Sequence, residues 1–465
     1  METTSAWASE TFSQAKLVDK RLVSRLIDMA AAGAERPGGT VTKVMCTVAQ
    51  REGAFRFLES ERLDSEAIAV AMFESTAQKC RSPITYVAMD QTSLSFTDRD
   101  KSKGLGPSGD RTSGKRRALQ IMGAYAMDDR GVPVGLIDQQ TWLWREKRTT
   151  RYEEKRGRWI PQGPPEERES IYWPKCLAEA KKRFANAGCE TTPWYLADRG
   201  ADSNIFLKEA CESGGFFTLR SNINRAIKKA GERRKLHSTV KRQKVMGTIN
   251  ITIPPGPDRT GRIASLELRQ VACQVRIDKA SSEEHWKELS CIRVREVGHV
   301  PSGEERIEWK LLTNYPVGTF EDGLMVLNSY TLRWRIEEFH KTWKSGACDV
   351  ESSQLRSLEA LKRWATILAA VAARIERLKR LSREQPNLPA LSELSRHEID
   401  AAIMLTKTRK HAVGDDLTLQ QAVALIGILG GHMGRKGDGP PGSITIRRGL
   451  ELVTPAASVL RQTYG

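Results

Sequence analysis

The sequence has no clustered cysteines and no long apolar run, and each absence excludes a class of protein. Its 8 cysteines lie far apart, with no C-x-x-C pair and no histidine pair at zinc spacing, so neither a structural zinc site nor a disulfide framework is expected. The longest apolar stretch, residues 365–373, is too short to span a bilayer. The first residues contain no apolar run of signal-peptide length. These absences predict a reduced, cytoplasmic protein that contacts no membrane.

The charge is the first positive feature. Lys and Arg number 74 against 57 Asp and Glu, which leaves a formal net charge of +17 with histidine neutral. Such an excess favours a polyanionic partner, first of all nucleic acid, although a generally basic protein is the plain alternative. At roughly 100 to 200 residues per domain, the 465 residues predict two to four domains.

Hydrophobic periodicity divides the chain into regions. Residues 1–80 have a helical pattern, and residues 81–352 begin with a strand, 84–89, that ends at Asp90. A hairpin, a helix, and two further strands separated by a helix follow. Residues 224–308 open with a basic run and continue as alternating strands, which predicts an inserted antiparallel β subdomain. Residues 353–465 are again helical. The predicted fold class is α/β, with helical regions at both ends.

A predicted helix over residues 330–344 separates its side chains into two faces. At about 100° per residue, an apolar face forms within roughly 60°; its members are Leu332, Ile336, Phe339 and Trp343. A second, polar stripe lies well away from it and contains Tyr330, Arg333, Glu337 and Lys344. Charged residues on a helix usually form only a solvated face. The aspartates elsewhere in the chain favour a site instead.

Two predicted strands end in aspartates, Asp90 and Asp198. Either one alone is weak evidence, because aspartate commonly follows a strand to cap the next turn. The carboxyl ends of strands in an open α/β sheet are, however, where sites form. Together with Glu337 the aspartates supply the oxygen ligands that Mg²⁺ prefers, and two such ions about 4 Å apart can promote in-line phosphoryl transfer. The sequence therefore predicts a two-metal site. On the polar stripe, Arg333, Lys344 and Tyr330 are expected to contact DNA phosphates.

The stretch YTLRWRIEEFHKTWKSG carries the pattern Y-x2-R-x3-E-x6-K as Tyr330, Arg333, Glu337 and Lys344. With it, the sequence resembles the bacterial cut-and-paste DDE transposases of the insertion-sequence IS-four group, which includes the Tn-five transposase. The resemblance also covers MDQTSLSF around Asp90, LADRGADSNIFL around Asp198, FFTLRS, and REGAFRFLES near the amino-terminal end.

The resemblance implies an RNase H-like catalytic core with the inserted β subdomain. It assigns residues 1–80 to binding of transposon ends and residues 353–465 to dimerisation. Asp90, Asp198 and Glu337 would form the catalytic triad and bind two Mg²⁺ ions per active site, with Mn²⁺ as a substitute. The implied reactions are strand nicking, hairpin formation, hairpin opening and strand transfer. The implied partners are double-stranded DNA, as inverted-repeat ends and target, and a second copy of the chain in the synaptic complex, within the bacterial cytoplasm and nucleoid.

Three further residues are expected to bind DNA by resemblance. Trp309 would stack on an extruded base, Trp334 would fill the space that the base vacates, and Arg220 would contact a phosphate. Both tryptophans could equally be core aromatics. Asn222 stands where the family pattern has Lys, so one backbone contact is expected to be missing.

Two other functions fit part of the pattern. A non-catalytic regulator could occupy transposon ends and inhibit transposition, but the intact carboxylates argue against it. An RNase H-like nuclease that cuts without joining strands remains compatible with the triad.

The two neighbouring glutamates of the 330–344 helix provide a test of the predicted face. Glu338 lies about 100° further round the helix than Glu337 and is not expected to replace it. Glu338→Gln should therefore leave more DNA cleavage and joining activity than Glu337→Gln. The reverse order, in matched assays, would mean that the wrong face has been assigned.

Overall fold

A computed structural model describes residues 4–108, 116–144, 149–153, 158–162, 168–253, 255–256, 260–280, 283–435 and 437–464. The amino-terminal region is helical, as the sequence predicts. Its helices are α1 (Thr4–Phe12), α2 (Lys20–Glu35), α3 (Val41–Val44), α4 (Val48–Leu58) and α5 (Ser65–Lys79). The Asp19 carboxylate caps α2 by accepting a hydrogen bond from the Arg21 amide, which satisfies a helix-end donor that has no intrahelical partner.

A mixed sheet follows. Its first strands are β1 (Ile84–Thr97), β2 (Gly106–Pro107), β3 (Arg116–Met127) and β4 (Pro133–Trp142), and a separate hairpin contains β5 (Thr149–Glu153) and β6 (Arg158–Gln162). Next along the chain come α6 (Tyr172–Ala187), β7 (Thr192–Ala197), α7 (Asn204–Cys211) and β8 (Phe216–Arg220). The predicted hairpin is confirmed as β3 and β4. Strands β1, β7 and β8 run parallel to one another.

The predicted end of the first strand is wrong. Strand β1 continues through Asp90 to Thr97, because β3 pairs with it over the whole of that length and satisfies its backbone groups. Asp90 is therefore inside a strand, at the point where the parallel pairing with β7 ends.

The inserted subdomain continues the same sheet. It contains β9 (Ala226–Lys229), β10 (Glu232–Lys235), α8 (Leu236–Lys241), β11 (Val245–Ile253), β12 (Arg262–Ala280) and β13 (Glu283–Val297), and β14 (Glu308–Thr313) follows it. The strand order is β10-β9-β12-β13-β14-β8-β7-β1-β3-β2, with β11 beside β12 and β4 beside β3. All strand pairs of the insert are antiparallel, as predicted.

The predicted helix over residues 330–344 is also wrong in one respect. Helix α9 (Phe320–Thr331) ends after Tyr330, and α10 (Trp334–Lys344) begins beyond a turn at Leu332 and Arg333. In that turn the amides bond to carbonyls three residues back, Arg333 to Tyr330 and Ile336 to Arg333. This tighter winding changes the angular position of Tyr330 relative to Glu337.

The sheet has a hydrophobic core on each face. On one face, α10 buries Ile336, Phe339 and Trp343 against residues of β1 such as Ala88 and Leu94. On the other face, Val87 and Met89 of the same strand belong to a second core that also contains residues of α6, α7 and α8. Because side chains alternate along a strand, even-numbered residues of β1 face α10.

The carboxyl-terminal region packs onto α10 from the outside. It consists of α11 (Leu358–Glu384), α12 (Arg396–Thr406), α13 (Leu419–Leu429) and α14 (Ser443–Tyr464). Among the described residues, no helix is long and apolar enough to cross a membrane.

A buried polar cluster joins α10, α11 and α14. The Glu376 carboxylate accepts hydrogen bonds of 2.6 Å from both the Thr342 and the Ser443 hydroxyl. Its other oxygen lies 2.5 Å from the Lys379 ammonium, and both charged side chains are at most 7% exposed. The cluster therefore links the end of the α10 helix to the carboxyl-terminal helices.

This cluster predicts a large loss of stability on substitution. Glu376→Ala leaves the Lys379 ammonium buried without its counter-charge, which we expect to lower the free energy of unfolding by about 3 to 5 kcal/mol. Glu52→Ala is the control, because it removes an exposed pair with Arg56 and should cost less than about 1 kcal/mol. Urea denaturation of both variants measures the difference. Equal midpoints would contradict the structural role of the cluster.

Candidate active site

The two predicted aspartates lie side by side on neighbouring strands. Parallel pairing of β1 with β7 matches Tyr86 to Trp194 and Ala88 to Leu196, and two more residues along both strands lead to Asp90 and Asp198. In each strand the residue two positions earlier belongs to the core shared with α10. Asp90, inside β1, and Asp198, directly after β7, therefore lie on the α10 side of the sheet.

Helix α10 approaches the sheet closely at this point. Gly123 of β3 is the partner of Asp90 in the antiparallel register, and a Cβ atom there would lie 3.6 Å from the Ile336 Cδ1 atom. That distance is an ordinary van der Waals contact, so the first turns of α10 pack directly over the Asp90–Gly123 pair. Glu337, next to Ile336, is thereby brought to the same cleft.

Arg333 connects two of the three carboxylates. Its Nη2 atom lies 2.6 Å from Glu337 Oε1, and its Nη1 atom lies 3.8 Å from Asp90 Oδ1. The arginine side chain is only 12% exposed, so little water screens these interactions. Asp198 instead accepts a 2.7 Å hydrogen bond from the Gly200 amide and caps the short 3-10 helix that follows β7.

The three carboxylates influence one another electrostatically. Burial raises the pKa of Asp90 to about 7, the Arg333 cation opposes this rise, and the negative charges of Asp198 and Glu337 add to it. A cation that enters the cleft stabilises the ionised form of a carboxyl group that lies beside two other carboxylates. The donor set, three carboxylates, thus fits a hard divalent ion.

In the present arrangement the carboxylates do not converge on one point. Within the described ranges, no three side chains of His, Cys, Asp or Glu are close enough together to hold an ion. The Arg333 guanidinium lies between Asp90 and Glu337, where it provides their counter-charge.

Lys344 reaches the cleft from two turns further along α10. Its ammonium donates a 3.2 Å hydrogen bond to the Thr92 hydroxyl on β1 and lies 3.8 Å from Glu351 Oε1. The same Glu351 oxygen accepts a 2.8 Å hydrogen bond from the Ser95 amide. The polar face of α10 therefore lies along the even-numbered side of β1.

Tyr330, Trp309 and Arg220 form a second group beside Arg333. The Tyr330 and Trp309 rings meet edge to face with centroids 5.6 Å apart. Burial raises the pKa of the Tyr330 phenol, while the nearby cations of Arg333 and Arg220 oppose the rise. Trp334 is 58% exposed. It is therefore neither a core aromatic nor part of the Trp309–Tyr330 pair.

Glu338 lies on another side of α10. Its carboxylate contacts Arg380 of α11 and lies 3.4 Å from Arg335. These contacts connect Glu338 to the carboxyl-terminal region rather than to Asp90.

Sequence reasoning did not single out several residues of the cleft. An open cavity of about 650 Å³ lies over Asp90 and Asp198; its other walls include Gln120, Trp144, Glu169, Ser170 and Trp173. His340 is buried, with Nδ1 3.9 Å from Asp90 Oδ2, and burial lowers the pKa of its imidazole to about 3, assisted by Lys344 and Arg333. The position of His340 one helical turn beyond Glu337 could have indicated that it lies near the cleft. The other residues of the cavity wall come from segments distant in the sequence, so no local pattern identifies them.

Three family models match the chain. They are Transposase DNA-binding over residues 4–63, Transposase DDE domain over residues 164–373, and Transposase Tn5 dimerisation domain over residues 370–462. The matched domains and the fold are those of a DNA transposase with an RNase H-like core. The chain is a member of the DDE transposases of the Tn5 type. It depends on a divalent metal ion, and its partners are DNA and a second copy of the chain.

The pKa of Asp90 predicts how metal binding depends on pH. A cation binds the ionised carboxylate, so Asp90 must lose its proton before it can act as a ligand. With a pKa of about 7, the free energy of removing that proton is larger at pH 6 than at pH 8. We expect Mn²⁺ to bind the DNA-free protein about tenfold more weakly at pH 6 than at pH 8, measured by the electron paramagnetic resonance signal of free Mn²⁺.

The matched control is Asp90→Asn, which has no proton to lose. It should bind Mn²⁺ more weakly at both pH values and show a smaller difference between them. Equal affinity of the unsubstituted protein at pH 6 and pH 8 would contradict a role for Asp90 as a ligand.

Proposed function

We propose that this transposase performs cut-and-paste transposition with Asp90, Asp198 and Glu337 as its catalytic residues. The observation that carries the proposal is the arrangement of Asp90 within β1 and Asp198 directly after β7, facing a helix whose glutamate shares one arginine with Asp90. The proposed reactions are strand nicking, hairpin formation and opening at transposon ends, and strand transfer into target DNA.

The three carboxylates would hold two Mg²⁺ ions, or Mn²⁺ in their place. Bound there, the ions would activate a water or a 3′-hydroxyl and stabilise the leaving oxygen of an in-line displacement. Asp90 is fixed within β1 and Asp198 at the end of β7, whereas Glu337 depends on the placement of α10. Because Arg333 now pairs with Glu337, its guanidinium must release that carboxylate before Glu337 can act as a ligand.

The cations around the cleft would orient the DNA backbone. Arg333, freed from Glu337, and Lys344 lie on the α10 side of the carboxylates, and both can pair with phosphate oxygens. Arg220 and the Tyr330 hydroxyl would contact the backbone from the β8 side. These contacts position the scissile phosphate and do not read base sequence.

Hairpin formation requires a sharp bend of the strand end, which extrusion of a base permits at an unstacking cost of a few kcal/mol. Trp309, whose ring meets that of Tyr330 edge to face, would stack on the extruded base. The exposed Trp334 ring is available to enter the vacated space. The backbone amide of Asn222 donates a hydrogen bond to the Asp202 carboxylate. The Asn222 side chain has no charge and would provide no cationic contact to the DNA backbone.

We also propose the division of labour along the chain. Residues 1–80 would recognise transposon ends, residues 81–352 would contain the catalytic domain with the insert at 224–308, and residues 353–465 would form the dimer contacts of the synaptic complex. A bacterial cytoplasmic location, associated with the nucleoid through bound DNA, fits this proposal.

A joining assay tests the proposed function. Purified protein, incubated with Mg²⁺ or Mn²⁺ and duplexes carrying the inverted repeats that flank its gene, should give hairpin ends and integrated products. Glu337→Ala should retain end binding in a mobility-shift assay but form neither product, because it lacks one ligand carboxylate.

Three outcomes distinguish the alternatives. Binding without cleavage by the unsubstituted protein would identify a non-catalytic regulator, and cleavage without joining would identify a nuclease. Either result would overturn the proposal. Equal activity of Glu337→Ala and the unsubstituted protein would overturn the assignment of the site.

A further inference from the structure

The basic run at the start of the insert has no part in the carboxylate cleft. Between Arg225 and Lys244 the sequence carries nine Lys or Arg residues and one acidic residue, Glu232. Most charge runs only face solvent, so the arrangement of these side chains on the sheet decides whether they form a surface.

Strands β9 and β10 divide the run between the two faces of the sheet. Their register pairs Lys228 with Arg233 and Lys229 with Glu232, and residues directly opposite one another share a face. Ile227 belongs to the core beneath α6 to α8, so its neighbour Lys228 points to the other face, together with Arg233 and Lys235. Lys229 and Arg234 lie on the side of Ile227.

The Lys228 face is open over the outer part of the insert. On β12, Val271, Cys273 and Val275 are buried on the opposite side, whereas Ala272 and Gln274 are exposed on this one. Helix α9 covers only the inner part, where Leu268 would meet a Cβ atom on Gly323 at 3.4 Å. A strip of uncovered sheet therefore lies between α9 and β10.

The cations on this strip are held in place by their neighbours. The Lys228 ammonium lies 4.3 Å from the centre of the Trp286 ring, and the Arg233 guanidinium lies 5.8 Å from it. One carboxylate, Glu284, pairs with Arg233 at 2.6 Å and with Arg276 at 2.9 Å. Two cations thus share one carboxylate, and the exposed Glu288 is a further acidic neighbour on β13. Exposed pairs of this kind are weak and exchange readily for a phosphate.

The strip is continuous with the proposed DNA path. Arg220 pairs with Leu311 of β14, and Leu311 and Trp309 belong to the core on the α10 side, whereas Leu219 and Leu312 belong to the opposite core. Arg220 and Trp309 therefore project on the same face. Four inter-strand steps lead from β8 to β9, which at about 4.8 Å each gives a distance on the order of 20 Å. About six base pairs of duplex span that distance.

We propose that the strip formed by Lys228, Arg233, Lys235, Arg276 and Trp286 binds the phosphate backbone of duplex DNA that leaves the active site past Arg220. The bound DNA crosses the open face of the inserted subdomain. Recognition there is electrostatic and independent of sequence, because the side chains are cations fixed on a flat sheet and none enters a groove. The Trp286 ring orients the two cations and does not stack on a base. The inference rests on the DNA-binding function of the chain and extends it to a second surface.

Two double variants of the same hairpin test the proposal. Lys228→Ala with Arg233→Ala removes two cations from the open face, and Lys229→Ala with Arg234→Ala removes the same charge from the opposite face. Binding to a fluorescent random-sequence 40-base-pair duplex is measured by anisotropy at several salt concentrations. The open-face variant should reduce the slope of log affinity against log salt by about 1.8, at about 0.9 per phosphate contact, and the control should leave it nearly unchanged.

Equal losses in the two variants would show a general effect of net charge and overturn the proposal, as would no loss in either. Thermal midpoints establish that both variants fold. Sedimentation tests whether the strip instead contacts the second subunit. If the open-face variant no longer dimerises but keeps the same slope of log affinity against log salt, the strip binds the second subunit and not DNA. Cleavage and joining of end duplexes are scored separately, so failure of the transposition chemistry is distinguishable from failure of this surface.

Discussion

The structure depends on the repulsion among three carboxylates in one partly buried cleft. Burial, together with the negative charges of Asp198 and Glu337, raises the pKa of Asp90 to about 7. Arg333 provides a close counter-charge that is shared between Asp90 and Glu337. It offsets only part of the effect of burial and repulsion on Asp90, so the electrostatics of the cleft favour an incoming cation. Burial keeps the neighbouring His340 neutral, so it adds no charge of its own.

The helices around the cleft determine whether the third carboxylate can join the other two. Glu337 is placed by α10, which rests on Gly123 on one side and is joined to α11 through Glu338 and Arg380 on the other. At its far end, Thr342 belongs to the buried cluster of Glu376, Lys379 and Ser443. The carboxyl-terminal region that matches the dimerisation model is therefore in direct contact with the helix that carries Glu337.

The sequence predicted the features that rest on local patterns. The hairpin of β3 and β4, the strand before Asp198 and the helix α6 follow from alternation, turn residues and helical periodicity. The length of β1 does not, because the polar residues Gln91 to Ser93 resemble a turn and are kept extended only by pairing with β3. The break at Leu332 is also invisible, since the apolar spacing continues through it. The single sheet that joins insert and core, and the cleft walls at Trp144 and Trp173, depend on contacts between distant segments.

A crystal structure with Mn²⁺ tests most directly whether a metal ion replaces the Arg333 guanidinium between Asp90 and Glu337. Anomalous scattering at the manganese edge locates the ions without assumptions about their ligands. The account predicts manganese among Asp90, Asp198 and Glu337, with the Arg333 guanidinium moved away from Glu337. Manganese at another place, or an Arg333 that still bridges Asp90 and Glu337 beside the bound metal, would contradict it.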